Sequence, residues 1–297
     1  MVFFLKRISI LCIKESHYLF IFYLPSPLWR DKTLIKIGCC AYSYRDLIVK
    51  GNMSLENFVE EAYKNRLDGV ELTGYYFKST EKKYLYSLKR LCLEKGLSIS
   101  MVSCGAHLWS PKREEREKSL EEIKRWINIT YELGAPCLRV FGGRWPPPQE
   151  TLKKQLSIED AINEAIEIGE KSAEYAADRG VVIALENHGG ITSSADDVIK
   201  IIKGVDSPWF RLNLDTGNYK EDTYCEIEKS TPYAVHVHAK VSLKRQGEVL
   251  KLNYERIRKI LMNAGYNGWI SIEYEEAENP KTGIPRFIRY LKNVFME

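Results

Sequence analysis

The sequence predicts an α/β protein built as one closed (β/α)8 barrel, and three observations carry that expectation. From Leu34 onward, short β-branched runs alternate with longer amphipathic segments, the pattern of a parallel sheet covered by helices. The alternation passes through eight units in about 260 residues, close to the ~250 that such a barrel needs. Glycines recur where a helix must hand over to a strand.

Taken in order, strands are expected at Ile35–Ala41, Gly69–Leu72, Leu97–Ser103, Pro136–Phe141, Val181–Glu186, Arg211–Asp215, Ala234–His238 and Trp269–Glu273. Each is short and mostly apolar, as a strand covered on both faces must be. Gly69, Gly96, Gly134, Gly180 and Gly265 fall at the expected helix stops, where a left-handed backbone suits a residue without a Cβ. Ser157 with Asp160 and Ser194 with Asp197 place a hydroxyl at a helix start and a carboxylate three residues on, so they are expected to open the fourth and fifth helices. Helical spacing predicts core stripes of Leu120, Ile123, Ile127 and Tyr131 in the third helix and of Ile162, Ile166, Ala173 and Ala176 in the fourth. The sixth unit is the weakest, because Tyr219 to Pro232 offers only a short, poorly patterned helix. A loop-rich crossover is expected there.

The whole chain fits this expectation. Its 297 residues are 44% hydrophobic and 28% charged, ordinary values for a globular protein. The net charge of +4 is concentrated at the start, where residues 1–33 hold five basic and two acidic side chains. The nearly neutral remainder lacks the basic balance of a nucleic-acid binder. Residues 1–33 are therefore expected to be an extension outside the barrel, or a start assigned too far upstream, with the catalytic barrel at 34–297. Neither apolar run in the extension reaches the ~18 residues of a membrane span, and no small-residue cleavage site follows it. Seven cysteines without a C-x-x-C pair fit a reducing cytoplasmic compartment, with adjacent Cys39 and Cys40 expected to be packing residues.

In such a barrel all strands point their C-terminal ends at one mouth, where active sites are built. Glu186, Asp215, His238 and Glu273 end the fifth to eighth strands. A single carboxylate after an apolar strand is ordinarily a solvated loop residue. Three carboxylates and an imidazole converging at successive strand ends would repel one another unless a cation compensated them. A divalent metal is expected, and oxygen donors with one nitrogen and no thiolate favour Mn²⁺, with Mg²⁺, Co²⁺ and Zn²⁺ as alternatives.

Glu-Asn-His-Gly-Gly at 186–190, Leu-Asp-Thr-Gly-Asn at 214–218, Val-His-Ala-Lys at 237–240 and Gly-Trp-Ile-Ser-Ile-Glu-Tyr-Glu at 268–275 resemble the sugar phosphate isomerase/epimerase family, the xylose isomerase-like TIM barrels. Leu-Gly-Ala-Pro-Cys-Leu-Arg-Val-Phe-Gly-Gly at 133–143 extends the similarity, which runs from about Ile35 to the C-terminus. The resemblance implies that Glu186, Asp215, His238 and Glu273 bind one metal ion and that Glu186 and Glu273 also move the substrate proton. It selects His238 over His236, because His238 precedes the x-Lys step; His236 lies deeper on the same side of the strand, as a core residue or a support behind the ligands. Two positions depart from the pattern of many relatives. Val241 stands where an aspartate often follows Lys240, and Asn218 stands where ketose epimerases have a histidine.

The expected chemistry is metal-assisted proton transfer beside a carbonyl, through an enediolate, on a sugar or sugar phosphate. His107, Arg144, His188, Asn218, Lys240 and Arg245 are the candidate substrate contacts, with Trp109 lining the pocket and Trp145 to Pro148 forming a stiff loop over the mouth. The partner expected is a small carbohydrate, with neither nucleic acid nor membrane, and the chain is compatible with a homo-oligomer. A dehydratase of a cyclic polyol or of dehydroshikimate is the second reading within the family. An apurinic endonuclease on the same barrel is less favoured, since it needs further histidines and this chain has five in all. A non-enzymatic binding barrel fits the four ligands poorly, and no G-x-G-x-x-G follows a strand to hold a nicotinamide.

Overall fold

The computed structural model describes residues 34–148 and 156–296, so the expected extension at 1–33 lies outside the described residues. Seven strands follow in order: β1 (Lys36–Cys40), β2 (Gly69–Thr73), β3 (Ser98–His107), β4 (Cys137–Phe141), β5 (Val182–Glu186), β6 (Phe210–Asp215) and β7 (Ala234–Ala239). Two short strands, β8 (Ser242–Arg245) and β9 (Glu248–Lys251), precede the last, β10 (Trp269–Ile272). Parallel pairing in the order β1-β10-β7-β6-β5-β4-β3-β2 closes the eight-stranded barrel that the alternation predicts. β8 and β9 form a separate antiparallel hairpin.

The helices are α1 (Arg45–Val49), α2 (Leu55–Lys64), α3 (Lys82–Glu94), α4 (Arg113–Leu133), α5 (Ile158–Ala177), α6 (Ala195–Val205), α7 (Thr223–Ser230), α8 (Tyr254–Asn263) and α9 (Pro280–Met296). Ser157 and Ser194 cap α5 and α6 as expected, accepting from Asp160 N at 3.1 Å and Asp197 N at 3.2 Å. α7, in the weak sixth unit, has eight residues. None of the helices among the described residues is long and apolar enough to cross a membrane.

Three expectations need correction. Tyr131 on α4 is 57% exposed, because it falls just off the face that buries Leu120, Ile123 and Ile127. Ile166 on α5 is only partly buried and packs at the edge of the core. Gly69 lies inside β2 rather than at a helix stop, and the left-handed residue ahead of it is Arg66, at φ 54°. A Cβ on Gly69 would run into Ser98 O of neighbouring β3 and sit 2.7 Å from the Trp269 ring of β10, so close packing inside the barrel explains this glycine.

The β8–β9 hairpin was not anticipated. Gln246 and Gly247 both take positive φ, 51° and 86°, which is the backbone of a two-residue hairpin turn. Register then sets the mouth. Asp215 on β6 stands level with His238 on β7, and Cys40 on β1 stands level with Glu71 on β2.

Candidate metal centre

Each ligand candidate is delivered by the last residues of an apolar strand, whose burial forces any polar end group to find a partner inside. Glu186 and Asp215 close β5 and β6, His238 lies one residue before the end of β7, and Glu273 follows β10 directly. Glu273 is held there by its backbone N, which donates to Ala239 O at 3.0 Å.

These four residues meet. Their ligand atoms lie within 4.8 Å of one another, all buried. His238 Nδ1 stands 3.7 Å from Glu273 Oε1, 3.8 Å from Glu186 Oε2 and 4.0 Å from Asp215 Oδ2. Asp215 is fixed through Asn187, which accepts from the Asp215 backbone N at 2.7 Å and donates to its backbone O at 2.9 Å. Gly217 N donates to Asp215 Oδ1 at 2.8 Å, whereas the buried Oδ2 accepts no hydrogen bond.

Two buried cations join the cluster. Arg139 Nε lies 3.1 Å from Glu186 Oε2. Lys240 Nζ lies 3.3 Å from Asp215 Oδ2, Glu273 Oε2 and Glu275 Oε1, and donates to Asn218 Oδ1 at 3.4 Å. Asn218 Nδ2 in turn donates to Glu186 Oε1 at 3.4 Å.

The sequence reading passed over Glu71, which sits within β2. It is fully buried, accepts from His238 Nε2 at 2.8 Å, and accepts from Ser103 Oγ and from Cys40 Sγ at 3.2 Å. The available signal was a carboxylate in the middle of an otherwise apolar strand. Cys40 likewise turns out to border the site as well as to pack. Asn213 was also missed; it donates to Glu186 Oε2 at 3.4 Å and contacts His238 Nδ1 at 3.2 Å.

Charge decides what the site lacks. Glu71, Glu186, Asp215 and Glu273 are four buried carboxylates, while Arg139 and Lys240 are the buried cations facing them. Two negative charges remain, the charge of one divalent ion. Without an ion, protons carry part of the deficit. Burial pulls His238 down, but Glu71, Glu273 and Glu186 outweigh it and push the imidazole up to about 10. Burial raises Asp215 to about 8, with Lys240 opposing and Glu273 and Glu186 adding. Asp215 Oδ2, which accepts no hydrogen bond, the charge deficit and the three-oxygen, one-nitrogen donor set all fit a divalent metal.

The other candidates separate. Asn218 and Lys240 belong to the cluster. His107 and His188 are exposed and flank Phe141, at ring separations of 5.2 and 4.6 Å, and the Arg139 guanidinium lies 3.9 Å from the centre of that same ring. Arg144 is exposed beyond β4. Arg245 is exposed on the hairpin and donates to Glu221 O at 3.1 Å. Trp145 packs against Trp109 with ring centres 5.5 Å apart.

Comparison with known proteins finds relatives over most of the chain. An inosose dehydratase of Clostridium botulinum (strain Alaska E43 / Type E3) is 25% identical over 279 residues, covering 82% of this chain and 90% of the relative. The solved structure of a D-psicose 3-epimerase in the presence of D-fructose shares the fold with a TM-score of 0.73 at 14% identity, covering 88% of this chain and all 100% of that one. The probable 3-DHS dehydratase AsbF of Bacillus anthracis, involved in petrobactin synthesis, does so with a TM-score of 0.68 at 21% identity, covering 87% and 99%. The family described as xylose isomerase-like TIM barrel matches residues 59–294, and the chain belongs to it.

Proposed function

We propose that this chain is a metal-dependent isomerase or epimerase of a sugar or sugar phosphate, working by proton transfer beside a carbonyl. One observation carries the reading. Glu186 and Glu273 reach the cluster from β5 and β10, three places apart around a ring of eight, and therefore from nearly opposite sides. Glu186 is paired with Arg139, and Glu273 shares Lys240 with Asp215 and Glu275. Two carboxylates so placed can address both faces of one carbon.

Glu186, Asp215, His238 and Glu273 would hold a divalent ion, Mn²⁺ ahead of Mg²⁺, Co²⁺ or Zn²⁺, and it would supply Lewis acidity to the site. Glu186 takes the proton from the carbon beside the carbonyl, and Glu273 returns one on the other face. Arg139 and Lys240 keep the two side chains oriented among buried groups, where short reach replaces high basicity. Asn218 and Lys240 are placed to hold substrate hydroxyls, with His107 and His188 at the rim, and Arg144 and Arg245 would meet an anionic group if the substrate carries one.

A dehydratase is the second reading. The similarity to an inosose dehydratase over most of the chain supports it, and it shares the first proton abstraction. Mn²⁺-reconstituted protein incubated with ketoses, inososes and hydroxypyruvate in deuterated water tests both by NMR. Deuterium entering beside the carbonyl with inversion is the expected result, and loss of water from an inosose would transfer the assignment to the second reading. No exchange on any of these compounds, or robust cleavage of abasic DNA, would overturn the proposal.

A further inference from the structure

The chain carries two histidines on β7, His236 and His238, and the groups around them leave each ring one arrangement of its proton. Glu186 Oε2 can only accept, so the Asn213 amide must turn its NH₂ toward it, at 3.4 Å. Asn213 Oδ1 then faces His236 Nδ1 at 3.1 Å, and that nitrogen must donate. His236 Nε2 is left to accept from Ser100 Oγ at 3.3 Å, a hydroxyl that can turn to it from Val70 O, 3.2 Å away. The same Asn213 NH₂ faces His238 Nδ1 at 3.2 Å, so in the neutral ring this nitrogen carries the lone pair, which a bound ion would take in place of the amide and of the second proton. On the far side of the His238 ring, Nε2 meets Glu71 Oε2 at 2.8 Å, an acceptor. A donor on one side and an acceptor on the other specify the same tautomer.

From this geometry we propose that Glu71 is a positioning residue for the metal site: it holds the proton on His238 Nε2 and so keeps Nδ1 open toward the ion. The inference rests on the metal-site reading above and adds residues to it that bind no metal themselves. Glu71 is itself held, because its Oε1 accepts from Ser103 Oγ and Cys40 Sγ. His236 has a matching task. It orients Asn213, which otherwise could offer Oδ1 to His238 and favour the opposite tautomer. The buried chain Ser100, His236, Asn213, His238, Glu71 and Ser103 thus sets the protons on both rings.

The test is Mn²⁺ binding by calorimetry to the wild-type protein and to Glu71→Gln, without any substrate. Gln lacks the carboxylate charge and can turn its NH₂ to the ring, and weakening a partner of this kind behind a metal-bound histidine lowers affinity by about 10–100-fold. Nitrogen-15 histidine spectra of the Zn²⁺-loaded wild-type protein should show the proton on His238 Nε2 and the ion on Nδ1. Glu71→Gln binding Mn²⁺ within twofold of wild type, or a spectrum with the proton on Nδ1, overturns the assignment while the metal site stands. A wild-type protein that binds no divalent ion brings down the site and this inference together. If Glu71→Gln does not fold, the Cys40→Ala, Ser103→Ala double variant keeps the carboxylate but frees its Oε1. A several-fold loss of Mn²⁺ affinity is then expected, and unchanged affinity refutes the role.

Discussion

The mouth of the barrel has two unlike halves. Strands β5, β6, β7 and β10 deliver Glu186, Asp215, His238 and Glu273, whose donor atoms crowd together with one carboxylate oxygen left without a hydrogen bond. Strands β1 to β4 contribute Cys40, Glu71, Ser103 and Arg139, whose polar atoms face those ligands or one another. One half is electrostatically incomplete by itself, and the other is arranged to hold it in that condition. Loss of a group should therefore harm chemistry in the first half, and harm stability or ion affinity in the second.

The sharpest way to break this division is at the proton carriers. Glu186→Gln and Glu273→Gln should each reduce turnover by about 10²–10⁴-fold, measured as solvent deuterium exchange on an accepted substrate. Near-normal exchange in either variant would remove that residue from proton transfer. In the other half, Arg139→Met leaves Glu186 buried without its cation, and should destabilise the fold by about 3–5 kcal/mol in urea unfolding. A loss under 1 kcal/mol would mean that the pair is dispensable.

Ion removal probes the two halves jointly. Saturating Mn²⁺ at about a hundred times its dissociation constant should stabilise the protein by about 2.7 kcal/mol, seen as a rise in Tm that EDTA reverses. A Tm indifferent to both would contradict the charge deficit. Ser103→Ala removes one hydrogen bond to the Glu71 carboxylate while Cys40 still donates, so the expected loss is about 1.5 kcal/mol. The smallest effect belongs to the rim. Arg245→Ala should change stability by less than about 0.5 kcal/mol, and a raised KM with unchanged kcat would mark it as a contact for an anionic substrate.

The same division explains what could be read from the sequence. Glu186 follows an unbroken apolar run, and Asp215 and Glu273 follow runs broken only by one polar residue near the end, so the transition itself marks the mouth. Glu71 and Arg139 lie inside strands and announce no boundary, and Asn213 is one polar residue between two leucines. Their importance comes from register across strands, which periodicity along one strand does not carry. Capping serines were legible because cap and partner are three residues apart. The β8–β9 hairpin was not, because Gln-Gly is a less familiar turn pair and its flanks are mostly charged. Gly69 was misjudged for a similar reason, since the crowding neighbour, Trp269, is 200 residues away in sequence.

The spacing of β5 and β10 has a consequence for how such a barrel diversifies. A pair of carboxylates that reaches a carbon from both sides does not dictate whether a proton returns or a hydroxyl departs. That choice falls to whatever holds the remainder of the substrate, which is loop and rim chemistry. Asn218 and Val241, the two positions that depart from the familiar motifs, lie just beyond the ends of β6 and β7. Product identity on this scaffold can therefore change by substitution at the rim while the strands, their ion and their supporting partners stay as they are.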